Sequence, residues 1–163
     1  MLRLYFDASA LVKRYAAEDG TGLVNEIFNR IPLNQLTCAS IGVLEIVSVL
    51  VRKHNDGRLP PQLFSQAMLE LNQEIIENET FLITAIEDSL IIAALALIGE
   101  HNLNATDAII LKSCLDFQAG FSDDRVVLCT SDKRLVRAAQ QEGITVFDPE
   151  VDTLAQLENL LSE

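Results

Sequence analysis

The feature that most restricts this chain is the alternation of short β-type runs with longer helical stretches. Residues 2–6 (LRLYF) read as a strand, and ASALVKRYAAEDG after them as helical, until Gly20 and Gly22 interrupt. A helix is expected over 23–30, a short strand over 36–39 (LTCA) and a long helix over 40–54, stopped by Asn55-Asp56-Gly57. Pro60-Pro61 opens an amphipathic helix to about residue 78, with Leu63, Phe64, Ala67, Leu71 and Ile75 on one stripe. A strand over 81–85, a buried helix over 89–100, a helix over 104–117 and a loop over 120–125 follow. The pattern closes with a strand over 126–129, a helix over 131–142 ended by Gly143, a last strand over 144–147 and a short C-terminal helix. Strands that alternate with helices build a parallel sheet covered on both faces, so one α/β domain is expected.

Composition narrows the class further. Apolar residues make up 49% and charged residues 22% of 163, a globular balance with enough chain for a real core. The most apolar segment, SLIIAALALIG, is about half the roughly 20 residues a membrane span needs. Asp7 arrives before a signal-peptide apolar region can form, so a cytoplasmic protein is expected. Cys38, Cys114 and Cys129 are odd in number and widely spaced, which reads as reduced core thiols. His54 and His101 have no partner at metal-ligand spacing and read as surface or helix-end residues. The net charge of −12 argues against a uniformly phosphate-binding surface and leaves solubility, an acidic metal pocket or a basic partner as readings.

Four acids fall where an open α/β sheet places its sites, beyond the carboxyl ends of strands. Asp7 directly follows the first strand, and Asp132 follows the 126–129 strand at a helix start. Asp107 lies in the first turn of its helix behind a candidate Asn104 cap, and Glu45 lies in the first half of another helix. Each has a structural reading: a cap, a dipole partner, or, for the Glu45, Ser48, Arg52 stripe, a solvated face. Glu45 and Asp107, however, sit in strongly apolar sequence, and crowded carboxylates near a core resist ionising unless a cation neutralises them. Hard oxygen donors suit Mg²⁺ or Mn²⁺. Hydroxyls of Ser9, Thr106, Thr130 and Ser131 lie nearby in sequence. Half of the 12 basic residues, namely Lys13, Arg14, Lys112, Lys133, Arg134 and Arg137, follow one of these acids within about two helical turns. All but Arg137 are taken as candidate phosphate contacts.

FDASALVKRY resembles the opening of PIN domains, most closely those of VapC-like toxins of prokaryotic toxin–antitoxin pairs. The Glu of SIGVLEIVSVL and the Asp residues of NATDAIILKSC and TSDKRLVRAA fall in the family's order, and the likeness runs from Leu4 to about Pro149. The resemblance implies a three-layer α/β/α sandwich with a central parallel sheet, a nuclease domain over 1–149 and a helical tail over 150–163 packed on it. It implies a Mg²⁺- or Mn²⁺-dependent endoribonuclease that leaves a 3′-hydroxyl and a 5′-phosphate. On that reading Asp7 and Asp107 are the principal metal ligands, Glu45 and Asp132 complete the site directly or through water, and Ser9 and Thr130 orient carboxylates. It also implies a homodimer and a small antitoxin whose basic residue enters the acidic site. The chain departs from compact toxins in its 60–78 helix, its 120–125 loop and its tail. Asp123 and Asp124 in that loop are read as minor candidates for extra acids of the site, and Asp116 as helix surface. The extra length leaves a stand-alone processing nuclease open.

Other aspartate-centred enzymes fit less well. A haloacid-dehalogenase-type phosphatase needs a second Asp where Ser9 stands, and neither a P-loop, a G-x-G-x-x-G fingerprint nor receiver-type paired acids is present. The rival from another class is a PIN-like module that binds RNA or protein without catalysis. Four retained acids weigh against it, because a scaffold gains nothing from clustered like charges.

Overall fold

The computed structural model describes residues 1–162. Five parallel strands form one sheet in the order β3-β2-β1-β4-β5: β1 (Leu2–Phe6), β2 (Leu36–Ala39), β3 (Leu82–Thr84), β4 (Arg125–Cys129) and β5 (Thr145–Phe147). Side chains alternate between its faces as the pleat requires. Leu4, Phe6, Val127 and Cys129 enter one core, whereas Tyr5, Val126 and Leu128 enter the other.

The first core is covered by α1 (Ala8–Leu11), α2 (Thr21–Arg30), α3 (Ser40–Asn55), α4 (Pro61–Leu71) and α8 (Leu154–Ser162). The second is covered by α5 (Asp88–His101), α6 (Ala105–Gly120) and α7 (Lys133–Gln141). Helices on both faces of a parallel sheet make the expected α/β/α sandwich. No helix among the described residues is long and apolar enough to cross a membrane.

Most expected elements appear within a residue or two, but three differ. The helix after Asp7 is short, because α1 tightens into a 3₁₀ turn over Val12–Arg14 and then leaves helical geometry. In α4 the packed face is Phe64, Ala67, Met68 and Leu71, carried on to Ile75 by a π turn over Asn72–Ile76; Leu63 points about 100° away and stays exposed. The expected buried helix is α5, yet only Ala94 and Leu97 of it are fully buried. It packs beside α6, so Ile91, Ile92 and Leu95 on its outer side are exposed.

The strand order reverses at β1. The chain passes outward to β2 and β3, then returns to the other side of β1 as β4 and β5. This is a topological switch point, where the loops leaving two neighbouring strands diverge to opposite faces and leave a crevice. The crevice lies between the carboxyl ends of β1 and β4, where the Asp7 N–H donates to the Cys129 carbonyl at 2.9 Å.

Candidate active site at the carboxyl edge of the sheet

Asp7 caps α1 and is only 5% exposed. Three donors converge on its Oδ2: the Ser9 N–H (3.2 Å), the Ser9 Oγ (2.5 Å) and the Thr130 Oγ1 (3.0 Å). Both hydroxyls also accept from the backbone beyond β4, Ser9 Oγ from the Ser131 N–H (2.9 Å) and Thr130 Oγ1 from the Asp132 N–H (3.1 Å). A hydroxyl that donates to a carboxylate while accepting an amide has its rotor fixed. One carboxylate is thus held in place by the loops of both strands at the switch point. Burial nevertheless raises the Asp7 pKa, and these hydrogen bonds only partly oppose it.

The other three acids arrive on helices. Asp132 is the N-cap of α7, its Oδ1 accepting from the Arg134 N–H (2.8 Å) and the Leu135 N–H (3.1 Å). Asp107, 9% exposed, stands in the first turn of α6, where Asn104 caps the helix by accepting the Asp107 N–H at 2.8 Å. The same Asn104 donates its Nδ2 to Asp107 Oδ2 at 2.7 Å, so the cap also aims the carboxylate. Glu45 comes from α3 and is partly buried.

The four acids share one field. Burial first, then the charges of Asp7 and Asp107, push Glu45 up to about 7. Asp107 is raised to about 6 by burial, then by Asp132 and Asp7, with Arg134 opposing. Asp7, Glu45, Asp107 and Asp132 are therefore brought together from four separate elements. Of the Glu45, Ser48, Arg52 stripe, Ser48 and Arg52 are exposed and only Glu45 is partly buried.

Carboxylates whose charges raise the proton affinity of Glu45 and Asp107 supply hard oxygen donors that favour a nearby cation. Beside them the Ser131 hydroxyl is buried and has no hydrogen-bond partner among the described residues. The donor set and the orphaned hydroxyl both fit a hydrated Mg²⁺ or Mn²⁺.

The basic residues divide. Lys13 is 2% exposed and donates to Glu18 (3.1 Å) and Glu150 (2.6 Å), so it stands inside the fold and not on a phosphate rim. Arg14 grips Glu74 through Nε (3.1 Å) and Nη2 (2.6 Å) and lies over the Phe28 ring; its charge is likewise spent internally. Lys112 pairs with Asp116 one turn on. Lys133 and Arg134 are exposed on α7 with no carboxylate at ion-pair distance among the described residues.

Asp124 is tied to the amino terminus and to Arg3 (2.5 Å). The three cysteines are free and buried. Burial alone raises Cys38 and Cys114 to about 12.

Two features escaped sequence reasoning. Asn104 was legible as a cap, but its grip on Asp107 was not. His101 is not isolated: its Nδ1 meets Gln141 Oε1 (2.9 Å) and its Nε2 meets Glu142 Oε1 (2.6 Å), across from α5 to the end of α7. Donor atoms of Glu100, His101 and Glu142 lie within 4.8 Å of one another, a grouping that residues forty apart cannot announce by spacing. This group stands apart from the four acids.

Comparison with known proteins agrees with this geometry. No curated protein sequence matches significantly. Among solved structures, PAE2754 of Pyrobaculum aerophilum is similar at 20% identity over 99% of this chain and 97% of that one, with a TM-score of 0.62. FitAcB of Neisseria gonorrhoeae is similar at 15% identity over 91% and 99%, with a TM-score of 0.62. A toxin–antitoxin complex of Klebsiella pneumoniae has a chain 20% identical over 90% and 97%, with a TM-score of 0.58. These likenesses establish the shared fold. The sequence model of the PIN domain matches residues 43–150, about two thirds of the chain and a span that contains three of the four acids; this protein belongs to the PIN-domain family.

Proposed function

We propose that this PIN domain is a divalent-cation-dependent endoribonuclease and the toxin of a toxin–antitoxin pair. The observation that carries the nuclease reading is the convergence of Asp7, Glu45, Asp107 and Asp132 at the switch point of the sheet, where the charges of Asp7 and Asp107 raise the proton affinity of Glu45 and those of Asp132 and Asp7 that of Asp107. Mg²⁺ or Mn²⁺ held there would supply Lewis acidity towards a phosphodiester.

The chain's own residues supply position. Asp7 and Asp107 are the principal ligands: each carboxylate is aimed by dedicated donors, Ser9 and Thr130 for one and Asn104 for the other. Asp132 has one oxygen committed to its helix, so it reaches the site through the other or through water. Glu45 completes the set from α3, directly or through water.

The pairing reading is supported by the net charge of −12, which favours a basic partner segment, and by likeness to a toxin–antitoxin complex. A homodimer is supported by the apolar stripe Ile91, Ile92 and Leu95 on α5.

The test is cleavage of single-stranded RNA in Mn²⁺, with and without chelator, by wild type, Asp7→Asn and Asp107→Asn. The expected result is chelator-sensitive cutting that falls at least about a hundredfold in either variant. Variants that cut like wild type would move the site elsewhere. Absence of both cutting and Mn²⁺ binding in the wild type would leave a non-catalytic module. Growth arrest on expression, relieved by the product of a small adjacent reading frame, tests the toxin role.

A further inference from the structure

Beyond the four acids, a cavity of about 580 Å³ lies on the flank of α7. Val136 and Arg137 of α7, Val146 of β5, and Asp148, Val151 and Asp152 in the turn after β5 line it, with Lys133 at the α7 start. Its size falls within the range of small-ligand sites. Its position follows from the sheet order. Asp7 leaves β1, Asp132 follows β4, and Asp148 leaves β5, so the cavity opens one strand further along the edge that carries the acids.

Charge distinguishes its walls. Elsewhere most cations pair with carboxylates of this chain, Lys13, Arg14 and Lys112 among them. Lys133 and Arg137 have no carboxylate at ion-pair distance among the described residues. They stand one helical turn apart, and Lys133 follows Asp132 directly. In a protein of net charge −12, unpaired cations beside an acidic site invite an anion.

The opposite wall is closed to one. Asp152 accepts from the Asp148 N–H (2.7 Å) and from Gln156 (2.9 Å), and Asp148 accepts from the Glu150 N–H (2.9 Å), so both acids stay fixed in the turn. A phosphate must therefore lie along α7, and what it carries must lie over Val136, Val146 and Val151.

We propose that this cavity is a nucleotide subsite of a single-stranded RNA track: Lys133 and Arg137 hold a backbone phosphate next to the scissile one, and the valine floor receives its base. The proposal rests on the RNA-cleaving reading and adds where the strand lies. A cationic rail beside an apolar surface is how single strands are held without sequence readout.

The test measures binding of a fluorescent single-stranded oligoribonucleotide in chelator, where cutting is off, alongside cleavage in Mn²⁺. The Lys133→Ala/Arg137→Ala double variant is compared with a charge-matched control, Arg30→Ala/Arg58→Ala, whose arginines pair with Glu26 and Asp56. The α7 variant should weaken binding about tenfold and flatten the salt slope by about 0.7, as for one lost phosphate contact on a single strand. The control should change binding less than about twofold. Val151→Glu, on an exposed residue, should weaken binding without touching the fold. Equal losses in the α7 variant and the control, or wild-type binding by the α7 variant and Val151→Glu, overturn the subsite. Wild type that binds through α7 but never cuts removes the nuclease reading and keeps the subsite. Wild type that cuts while the α7 variant binds normally does the reverse. A cavity that takes an acidic peptide and no RNA also overturns it.

Discussion

At Gly20 the backbone φ is +87°, and a Cβ there would meet the Pro149 carbonyl oxygen at 2.6 Å. Backbone strain and overlap with main chain act together, so Gly20→Ala should lower stability by about 2–4 kcal/mol, read as a shifted denaturation midpoint. Asp7 presents the opposite case. Its burial disfavours the charge that the site requires. Asn can still accept from Ser9 and Thr130, so Asp7→Asn should stabilise the metal-free protein by about 1 kcal/mol while abolishing cleavage. Loss of stability in chelator would show that the carboxylate is structural. Asp7 was legible because it ends an unmistakable strand. Its three donors were less so, because only folding brings Thr130 to within 3.0 Å of a residue 123 positions away.

Among the elements, the short α1 and its 3₁₀ extension are tied down electrostatically. Lys13 joins Glu18 to Glu150, and Lys53 of α3 also pairs with Glu18. Removing the central cation leaves the half-buried Glu18 to Lys53 alone and takes the only ion-pair partner among the described residues from Glu150, so Lys13→Ala should cost about 2 kcal/mol. That is below the value for a fully buried pair because Glu150 is 40% exposed. A change under about 0.5 kcal/mol would mean that water replaces the lysine. On the other face, α5 leaves Ile92 67% and Leu95 60% exposed. If a second copy covers them, Ile92→Glu/Leu95→Glu should convert a dimer to a monomer in sedimentation without changing the denaturation midpoint of the monomer. A wild-type monomer would exclude this stripe as the dimer contact. Helical periodicity located α5, but an apolar helix looks alike in sequence whether its outer side meets the same chain or another.

For the molecule as a whole, the acidic site couples stability to pH. Glu45 at about 7 and Asp107 at about 6 hold protons more tightly when folded than in the unfolded chain, where carboxyls titrate near 4. Their contribution is therefore complete below about pH 4 and lost as pH rises through about 6 to 7. In chelator the denaturation midpoint should fall between about pH 5.5 and 8, whereas stabilisation by added Mg²⁺ should grow over that window because the cation binds the ionised form. His101, raised chiefly by its hydrogen bond to Glu142, has the same sign, so the slope should survive in His101→Gln. A midpoint in chelator that climbs with pH would contradict the raised carboxyl values.

The sequence by itself determined the α/β alternation, the strand cores and the four acids in order, because side-chain period and capping chemistry are local properties. It also placed Asn104 ahead of Asp107 and Gly143 at the end of α7. Only the tertiary structure decided which of those residues share a field. The reversal of strand order at β1 sets Asp7 beside the residues after β4, and α3 and α6 carry Glu45 and Asp107 to the same edge. It also decided which cations are available, for Lys13 and Lys133 look alike in sequence, yet one is enclosed by glutamates and the other faces solvent. Charge pairing and crowding act through space, and chain spacing carries no record of distances that arise only when the sheet assembles.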